Sequence, residues 1–585
     1  MGIFDALSLI SGLALFLYGM EVMGEALRRS AGNRLKAMLG KMTSSPGKGF
    51  LLGLIVTAII QSSSATTVMV VGFVNSGTMT LTQSVGVILG AELGTAVTAW
   101  LTALSGIGGS GAVVSSYIAW LKPSSWMPLL ALAGICMLMF SKNRKRQDVG
   151  RILLGFSVLM VGMDIMSGSV SGLRDLPEFQ SFLTMFRNPL LGVLTGMLLT
   201  AIVQSSSASI GILQSLTTTG SITYGMAIPI IMGQNIGTCI TAILASIGAN
   251  KNGKRAAFVH LYFNVIGTAI WLTVFALVGW LAPLSLFGNT IDMWGVATVH
   301  TGFKILSLLL LFPFHRQLER LAVLTIRGRE EKTDTKPLDE RLFGTPAVAV
   351  ERAEEVTRQM ADLSCSALRG SLRMFASYDD KQAASVRETE DRVDVLEDEI
   401  GSYLVRLSGC SMDEKDSHEV TKLLRLIGDF ERISDHAVNL LESAEEIRDK
   451  RIEFSQDAQH ELSVLMAAVT EILTLSHNAF AENSIEEASR VEPLEEHIDK
   501  MREQIKVHHI LRLQKSECTI EHGFILSDIL TNLERVADHC SNVAGCIIEI
   551  SRHDALDMHR YLGEIKQGGA DFDRMYQEYR NKYVL

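Results

Sequence analysis

Gln61-Ser62-Ser63-Ser64-Ala65 and Gln204-Ser205-Ser206-Ser207-Ala208 lie 143 residues apart, each inside a long apolar stretch, and their reading decides the fold. An amide and three hydroxyls are costly in lipid unless satisfied, so each run must face protein or a water-filled cavity. Serines also compete with the helical ladder for backbone bonds. Each run therefore predicts a broken helix whose freed N–H groups, hydroxyls and positive N-terminus can surround a small oxyanion near the middle of the bilayer.

The same register recurs on both sides of these runs. Gly90-Ala91-Glu92-Leu93-Gly94-Thr95 aligns with Gly233-Gln234-Asn235-Ile236-Gly237-Thr238, and Gly19-Met20-Glu21-Val22-Met23 with Gly162-Met163-Asp164-Ile165-Met166. Three blocks in one register mark a duplication, about residues 1–105 and 150–248. Basic residues in short loops favour the cytoplasm. In copy one Arg28, Arg29, Arg34, Lys36, Lys41 and Lys48 precede the Ser run, and the loop Gly106–Gly111 after the second block is uncharged. In copy two only Arg174 and Arg187, with Asp175 and Glu178, precede the run, whereas Lys251, Lys254 and Arg255 follow the second block. The copies are expected to run oppositely through the membrane, as in transporters that alternate access around a central site. Further spans, Trp126–Phe140, Ala256–Leu281 and Trp294–Phe314, return the chain to the cytoplasm at Arg316, Arg320, Arg327 and Arg329.

Composition agrees with a chain of two natures. It has 585 residues, 48% of them hydrophobic, yet from Arg316 onward every run of ten carries charge. We expect an all-α chain: a polytopic membrane domain over 1–315, a linker over 316–345, a cytoplasmic helical domain over 346–552 and a helix or tail over 553–585. The net charge of −10, without a basic stripe, excludes nucleic acid as a partner. Seven cysteines without metal spacing read as reduced packing residues. No cleavable signal is expected, because Met1–Met23 lacks a basic start.

The paired blocks of residues 1–315 resemble the type II sodium–phosphate cotransporter family. The resemblance implies that Gln61, Ser62, Ser63, Ser64, Gln204, Ser205, Ser206 and Ser207 cradle inorganic phosphate. It also implies that Thr66, Glu92, Thr95, Asn235 and Thr238 contribute to sodium coordination; the residues alone say only small oxyanion. Two positions depart from the family pattern. Glu92 stands where Asn is usual, and His300-Thr301-Gly302-Phe303-Lys304 ends in Lys where the matching His260-Leu261-Tyr262-Phe263-Asn264 keeps Asn. A buried acid and a buried base suggest a Glu92–Lys304 pair whose ammonium stands where sodium would bind; the alternative is that both reach water at helix ends. Glu21 and Asp164 read as interfacial.

From Pro346 onward apolar residues recur at helical spacing, and a second duplication appears. Glu431-Arg432-Ile433-Ser434-Asp435-His436-Ala437-Val438-Asn439 matches Glu534-Arg535-Val536-Ala537-Asp538-His539-Cys540-Ser541-Asn542, and Glu390 with Asp394 matches Glu495 with Asp499. We infer two three-helix units. Acids four apart share a helical face, and facing Glu-x-x-x-Asp pairs make a carboxylate cluster suited to a cation, or simply a solvated face. This half resembles the PhoU family of phosphate-signalling proteins. That implies Glu390, Asp394, Glu431, Asp435, Glu495, Asp499, Glu534 and Asp538 as metal ligands, for iron, manganese or zinc.

The leading expectation is a sodium-driven symporter of phosphate in the bacterial inner membrane, with the C-terminal domain cytoplasmic and acting as sensor or gate. A homo-oligomer or a phosphate-signalling partner is compatible with that domain. The alternatives are a phosphate exporter and a phosphate receptor that does not transport. An enzyme is not expected, because no nucleophile with its base and no nucleotide loop is present.

Overall fold

A computed structural model describes residues 3–40, 45–106, 123–171, 173, 183, 185–281, 285–328, 337–551 and 570–585. Lys41, loop positions 107–111, Arg174, Asp175, Glu178, linker residues 329–336 and tail residues 553–569 lie outside that set. The described residues are helical, apart from turns and one antiparallel bridge between Thr223 and Thr290. The chain divides into two compact units, Met1–Val348 and Ala349–Leu585.

Unit one comprises α1 (Ile3–Gly40), α2 (Pro46–Ile60), α3 (Ser63–Asn75), α4 (Leu81–Gly94), α5 (Ala96–Ala103), α6 (Pro123–Phe140), α7 (Arg144–Ser171), α8 (Pro189–Val203), α9 (Ser206–Thr217), α10 (Tyr224–Ala245), α11 (Lys251–Leu281), α12 (Met293–Leu311) and α13 (His315–Thr325). Unit one exposes large apolar side chains, Phe4, Phe140, Ile202, Trp280 and Leu309 each at least 70%, as a lipid-facing surface requires. Among the described residues seven helices are long and apolar enough to cross a bilayer, six of them in this unit. The seventh, Gln456–Ala481, lies in unit two and spends Leu462, Leu465, Ile472 and Leu473 on that unit's core.

Close helix approach depends on glycine, and it recurs at the 143-residue spacing. A Cβ on Gly53 would meet the Val87 carbonyl oxygen at 1.9 Å, and one on Gly196 would meet that of Ile230 at 2.0 Å, so α2 packs on α4 as α8 packs on α10. At the crossing of α1 and α7, Gly12 meets Gly162 and Met166, while Gly19 meets Gly155 and Leu159. Rising numbers on one helix meet falling numbers on the other, so these two helices are antiparallel.

The stretch expected as a linker is partly built into unit one. Asp339 caps a 3-10 turn, Glu340–Gly344, that seats Leu342 against α3 with no exposed surface. Asn75 Nδ2 donates to Asp339 Oδ2 at 2.5 Å, and Arg341 donates to the carbonyls of Ala245 (2.6 Å) and Ile247 (3.0 Å). This turn thereby ties the end of α3 to the end of α10, and helix α13 replaces the first part of the expected linker.

Unit two holds α14 (Pro346–Met374, of which its first three residues fall in unit one), α15 (Asp380–Ser408), α16 (Glu414–Lys450), α17 (Gln456–Ala481), α18 (Ile485–Ser489), α19 (Val491–Gln514), α20 (Ile520–Ser551) and α21 (Ala570–Lys582). The duplicated motifs on α16 and α20 face each other. His436 Nδ1 bonds Asn532 Oδ1 (2.8 Å) and His539 Nδ1 bonds Asp429 Oδ1 (2.9 Å), with the two imidazoles 5.7 Å apart. Helix α21 docks back through Tyr583 and Lys582 on Glu471 and through His497 on the Tyr583 carbonyl.

Overpacking the glycine crossings costs about 1–3 kcal/mol each. Gly53→Ala and Gly196→Ala should each lower the thermal midpoint of the detergent-solubilised chain, and Gly279→Ala, which meets open space, should not; equal midpoints for all three contradict the packing described.

Candidate functional site

Both Ser runs break their helices in the same way. Gln61 and Gln204 end α2 and α8 in the left-handed region, at φ 59° and 56°, each giving its N–H to the carbonyl of Thr57 or Thr200. A residue with a Cβ pays to sit there, and such strain collects at functional sites. Ser62 and Ser205 then cap α3 and α9, each accepting from the N–H three residues on, Ala65 or Ala208, at 3.2 Å. A hydroxyl clasp closes each turn: Thr57 to Thr66 at 3.0 Å and Thr200 to Ser209 at 2.8 Å.

The structure brings the two breaks to one cavity of about 530 Å³. It is lined by Gln61, Ser62, Ser63, Ser64, Gln204, Ser205, Ser206 and Ser207, together with Tyr18, Glu21 and Arg28 of α1. Two helix N-termini open onto it, so their first N–H groups and the positive ends of both dipoles act on the same space. Arg28, which sequence reading used only as a marker of topology, adds a guanidinium held at 2.9 Å by Glu21. The seven-residue spacing of Glu21 and Arg28 on one helix face was the available signal. One guanidinium, serine hydroxyls and two helix ends, with Glu21 the one carboxylate among the described lining residues, suit an anion of several oxygens.

The copies are not identical. Gln61 is buried and accepts at Oε1 from Thr98 (2.9 Å), whereas Gln204 is exposed. The reason lies in the following helices: α4 and α5 are interrupted at Thr95, and α10 is continuous through the matching position. Gln214, fully buried, holds the centre by donating to the carbonyls of Ala99 (3.0 Å) and Met293 (3.2 Å).

Glu92 and Lys304 are brought together, each 2% exposed, with Lys304 Nζ on Glu92 Oε2. Asn264 Nδ2 donates to Glu92 Oε1 at 2.6 Å and His260 Nε2 lies against that oxygen. The carboxylate thus gathers α4, α11 and α12. His260 and Asn264 entered the sequence reading as a motif, without a place in the site. The remaining sodium candidates are buried but dispersed: Thr66 Oγ1 donates to the Ser62 carbonyl, Thr95 to that of Glu92, Asn235 to that of Ile231 and Thr238 to that of Gln234. No described hydrogen bond joins them into one shell.

In unit two, carboxylate oxygens of Glu390, Asp394 and Asp435 lie within 4.8 Å of one another. Among the described residues no Lys or Arg pairs with Glu390 or Asp394, so this group fits a hard or borderline divalent cation. Glu431 sits beside it, held with Asp435 by Arg432. The matching acids Glu495, Asp499, Glu534 and Asp538 differ: Arg502 pairs with Glu534 and, at 2.9 Å, with Asp499. His436 and His539 bond across the two helices, to Asn532 and to the Asp429 carboxylate, rather than to the acids of the two clusters.

Burial, then the neighbouring carboxylates, hold Asp394 and Glu390 above the usual carboxylate range. Such a shift favours the native state below the ordinary carboxylate pKa and is lost as pH rises through the raised value. With chelator present, Asp394→Asn should match wild type in thermal midpoint near pH about 4 and exceed it near pH about 7. A midpoint difference that shrinks as pH rises contradicts the cluster's repulsion.

Both halves of the chain match known proteins. A sequence model of the Na+/Pi-cotransporter family matches residues 15–168 and 176–312, and one of the PhoU domain matches 357–444 and 462–547. YjbB of Escherichia coli (strain K12), named for inorganic phosphate export, is 25% identical over 93% of this chain and 97% of its own length. The uncharacterized YqeW of Bacillus subtilis (strain 168) is 30% identical over 55% of this chain and all of its own. Human sodium-dependent phosphate transport protein 2B is 40% identical over 22% of this chain and 20% of its own. The chain is a multi-pass membrane protein of the Na+/Pi-cotransporter family that also carries a PhoU domain.

Proposed function

We propose that this protein is a secondary active transporter that moves inorganic phosphate across the bacterial inner membrane by alternating access, coupled to sodium and regulated by a cytoplasmic PhoU-like domain. The observation that carries the reading is the convergence of both broken helices, with Arg28, on one cavity. Phosphate oxygens would take N–H groups from α3 and α9 and hydroxyls from Ser63, Ser64, Ser206 and Ser207. The reciprocal, antiparallel glycine contacts of α1 and α7 support inverted copies, which allow the same site to open to either side.

Charge supplies the need for a cation. Moving one charge through 100 mV is worth roughly 2.3 kcal/mol, so a divalent phosphate entering a negative cell is opposed by about twice that unless cations accompany it. Thr66, Thr95, Asn235 and Thr238 offer hard oxygen ligands, because their hydroxyls and the Asn235 amide donate hydrogens to nearby carbonyls and keep their own oxygens available to a cation. At Glu92 the cation is Lys304. An ammonium fixed there occupies the charge that a sodium ion would neutralise, which lowers the number of sodium ions carried per phosphate. Leaving one member of a buried pair alone costs about 3–5 kcal/mol, so the two residues belong together.

Export is the second reading, favoured by the name of YjbB, whose length this chain matches almost entirely. The same site serves both directions, and the gradients decide. In unit two the first acid cluster is proposed to hold a divalent cation through Glu390, Asp394, Glu431 and Asp435, a means of sensing rather than of catalysis.

Radiolabelled phosphate uptake into proteoliposomes, with and without an inward sodium gradient, tests this account. Wild type should accumulate phosphate faster with the gradient, and Ser63→Ala plus Ser206→Ala should abolish the difference; sodium-independent binding without uptake would point to a receptor. On the same assay Lys304→Gln should be severely impaired and Glu92→Gln with Lys304→Gln should recover transport with a steeper sodium dependence. Additive losses from the two substitutions contradict the pairing.

A further inference from the structure

The two acid clusters of unit two descend from one motif but no longer have one composition. Alignment of the second helix of each three-helix unit places Glu390 on Glu495 and Asp394 on Asp499, and the buried apolar positions Val393, Leu396 and Ile400 on Ile498, Met501 and Ile505. The same alignment places Glu397 on Arg502. One turn beyond the acid pair, the first unit carries a further carboxylate and the second a guanidinium.

The consequence is visible in the contacts. Arg502, with its side chain 16% exposed, spans from Glu534 on α20 to Asp499 on α19 and reaches Glu503 at 2.8 Å. A guanidinium presents several N–H donors in a fixed plane and stays charged at any pH the protein meets, so it neutralises these carboxylates permanently. The exposed arginines of the motifs do not account for the difference, because they are symmetric: Arg432 on Asp435 at 3.1 Å and Arg535 on Asp538 at 3.3 Å. Among the described residues only the first cluster brings three carboxylates within 4.8 Å, with no Lys or Arg on Glu390 or Asp394.

We propose that Arg502 is a built-in counter-ion that closes the second acid cluster to metal, leaving the first cluster as the one cation site of the two. The first half of this rests on the reading of Glu390, Asp394 and Asp435 as a cation site; the second half stands on Arg502 alone. It divides the labour between the duplicated units: the first responds to a diffusible cation, and the acids of the second are held together by Arg502.

Manganese(II) binding to the full-length chain in detergent, measured by equilibrium dialysis, tests both halves. Wild-type binding should be lost in Asp394→Asn with Asp435→Asn and unchanged in Asp499→Asn with Asp538→Asn. Arg502→Gln should roughly double the manganese bound, and the added ion should vanish when Asp499→Asn and Asp538→Asn are combined with it. Arg502→Lys, which keeps the charge, should bind as wild type, and far-ultraviolet circular dichroism should show unchanged helix content throughout. Loss of wild-type binding on substituting the second cluster, or no gain in Arg502→Gln with helix content intact, overturns the proposal. Absence of wild-type binding removes its first half, and the Arg502→Gln arm still decides the second.

Discussion

The rest of the structure depends on one constraint: a backbone group inside a bilayer must have a partner. Breaking a helix there exposes N–H groups that lipid cannot satisfy. The chain breaks two helices at Gln61 and Gln204 and turns both exposed ends toward one cavity. Ser62 and Ser205 satisfy part of each end as caps, and on the proposed function the bound phosphate supplies what remains. The strained glutamines, the serine hydroxyls and the glycines that let α2 and α8 lie against their partners all serve that arrangement.

Duplication supplies the frame, and single substitutions set the copies apart. In unit one Glu92 occupies the place of Asn235, and Lys304 stands at the motif position that Asn264 holds on α11. In unit two Arg502 occupies the place of Glu397. Both cases set a tethered cation against carboxylates where the matching position holds an amide, Asn264, or an acid, Glu397. A tethered charge cannot leave and fixes a geometry, whereas an ion that exchanges with solvent can report or be carried, so on the proposed reading each duplicated pair divides into a fixed half and a responsive half.

Much of this was legible in sequence because its signals are local. The Ser runs and the Gly blocks repeat in one register, the basic loops change sides between the copies, and a broken apolar helix follows from the residue types alone. The all-helical character of unit two followed from its periodicity. What was not legible depends on side chains far apart in the chain. Arg28 joins the cavity only because α1 crosses both breaks, and His260 reaches Glu92 only once α11 is packed on α4. The docking of Asp339 and Arg341 on Asn75 and α10 was hidden because charged residues around Pro337 read as solvated linker. The candidate membrane helix Gln456–Ala481 shows the converse: its apolar content suits a span, and its position in the helical bundle assigns that content to a core.

The central claim is that one phosphate is held by both broken helices at once. Phosphate affinity of the detergent-solubilised chain, measured by calorimetry for wild type, Ser63→Ala, Ser206→Ala and the double variant, tests it most directly. Shared contact predicts that each single change weakens binding and that the double change departs from additivity by about 0.5 kcal/mol or more. Additive losses, or a loss confined to one of the two serines, would contradict it.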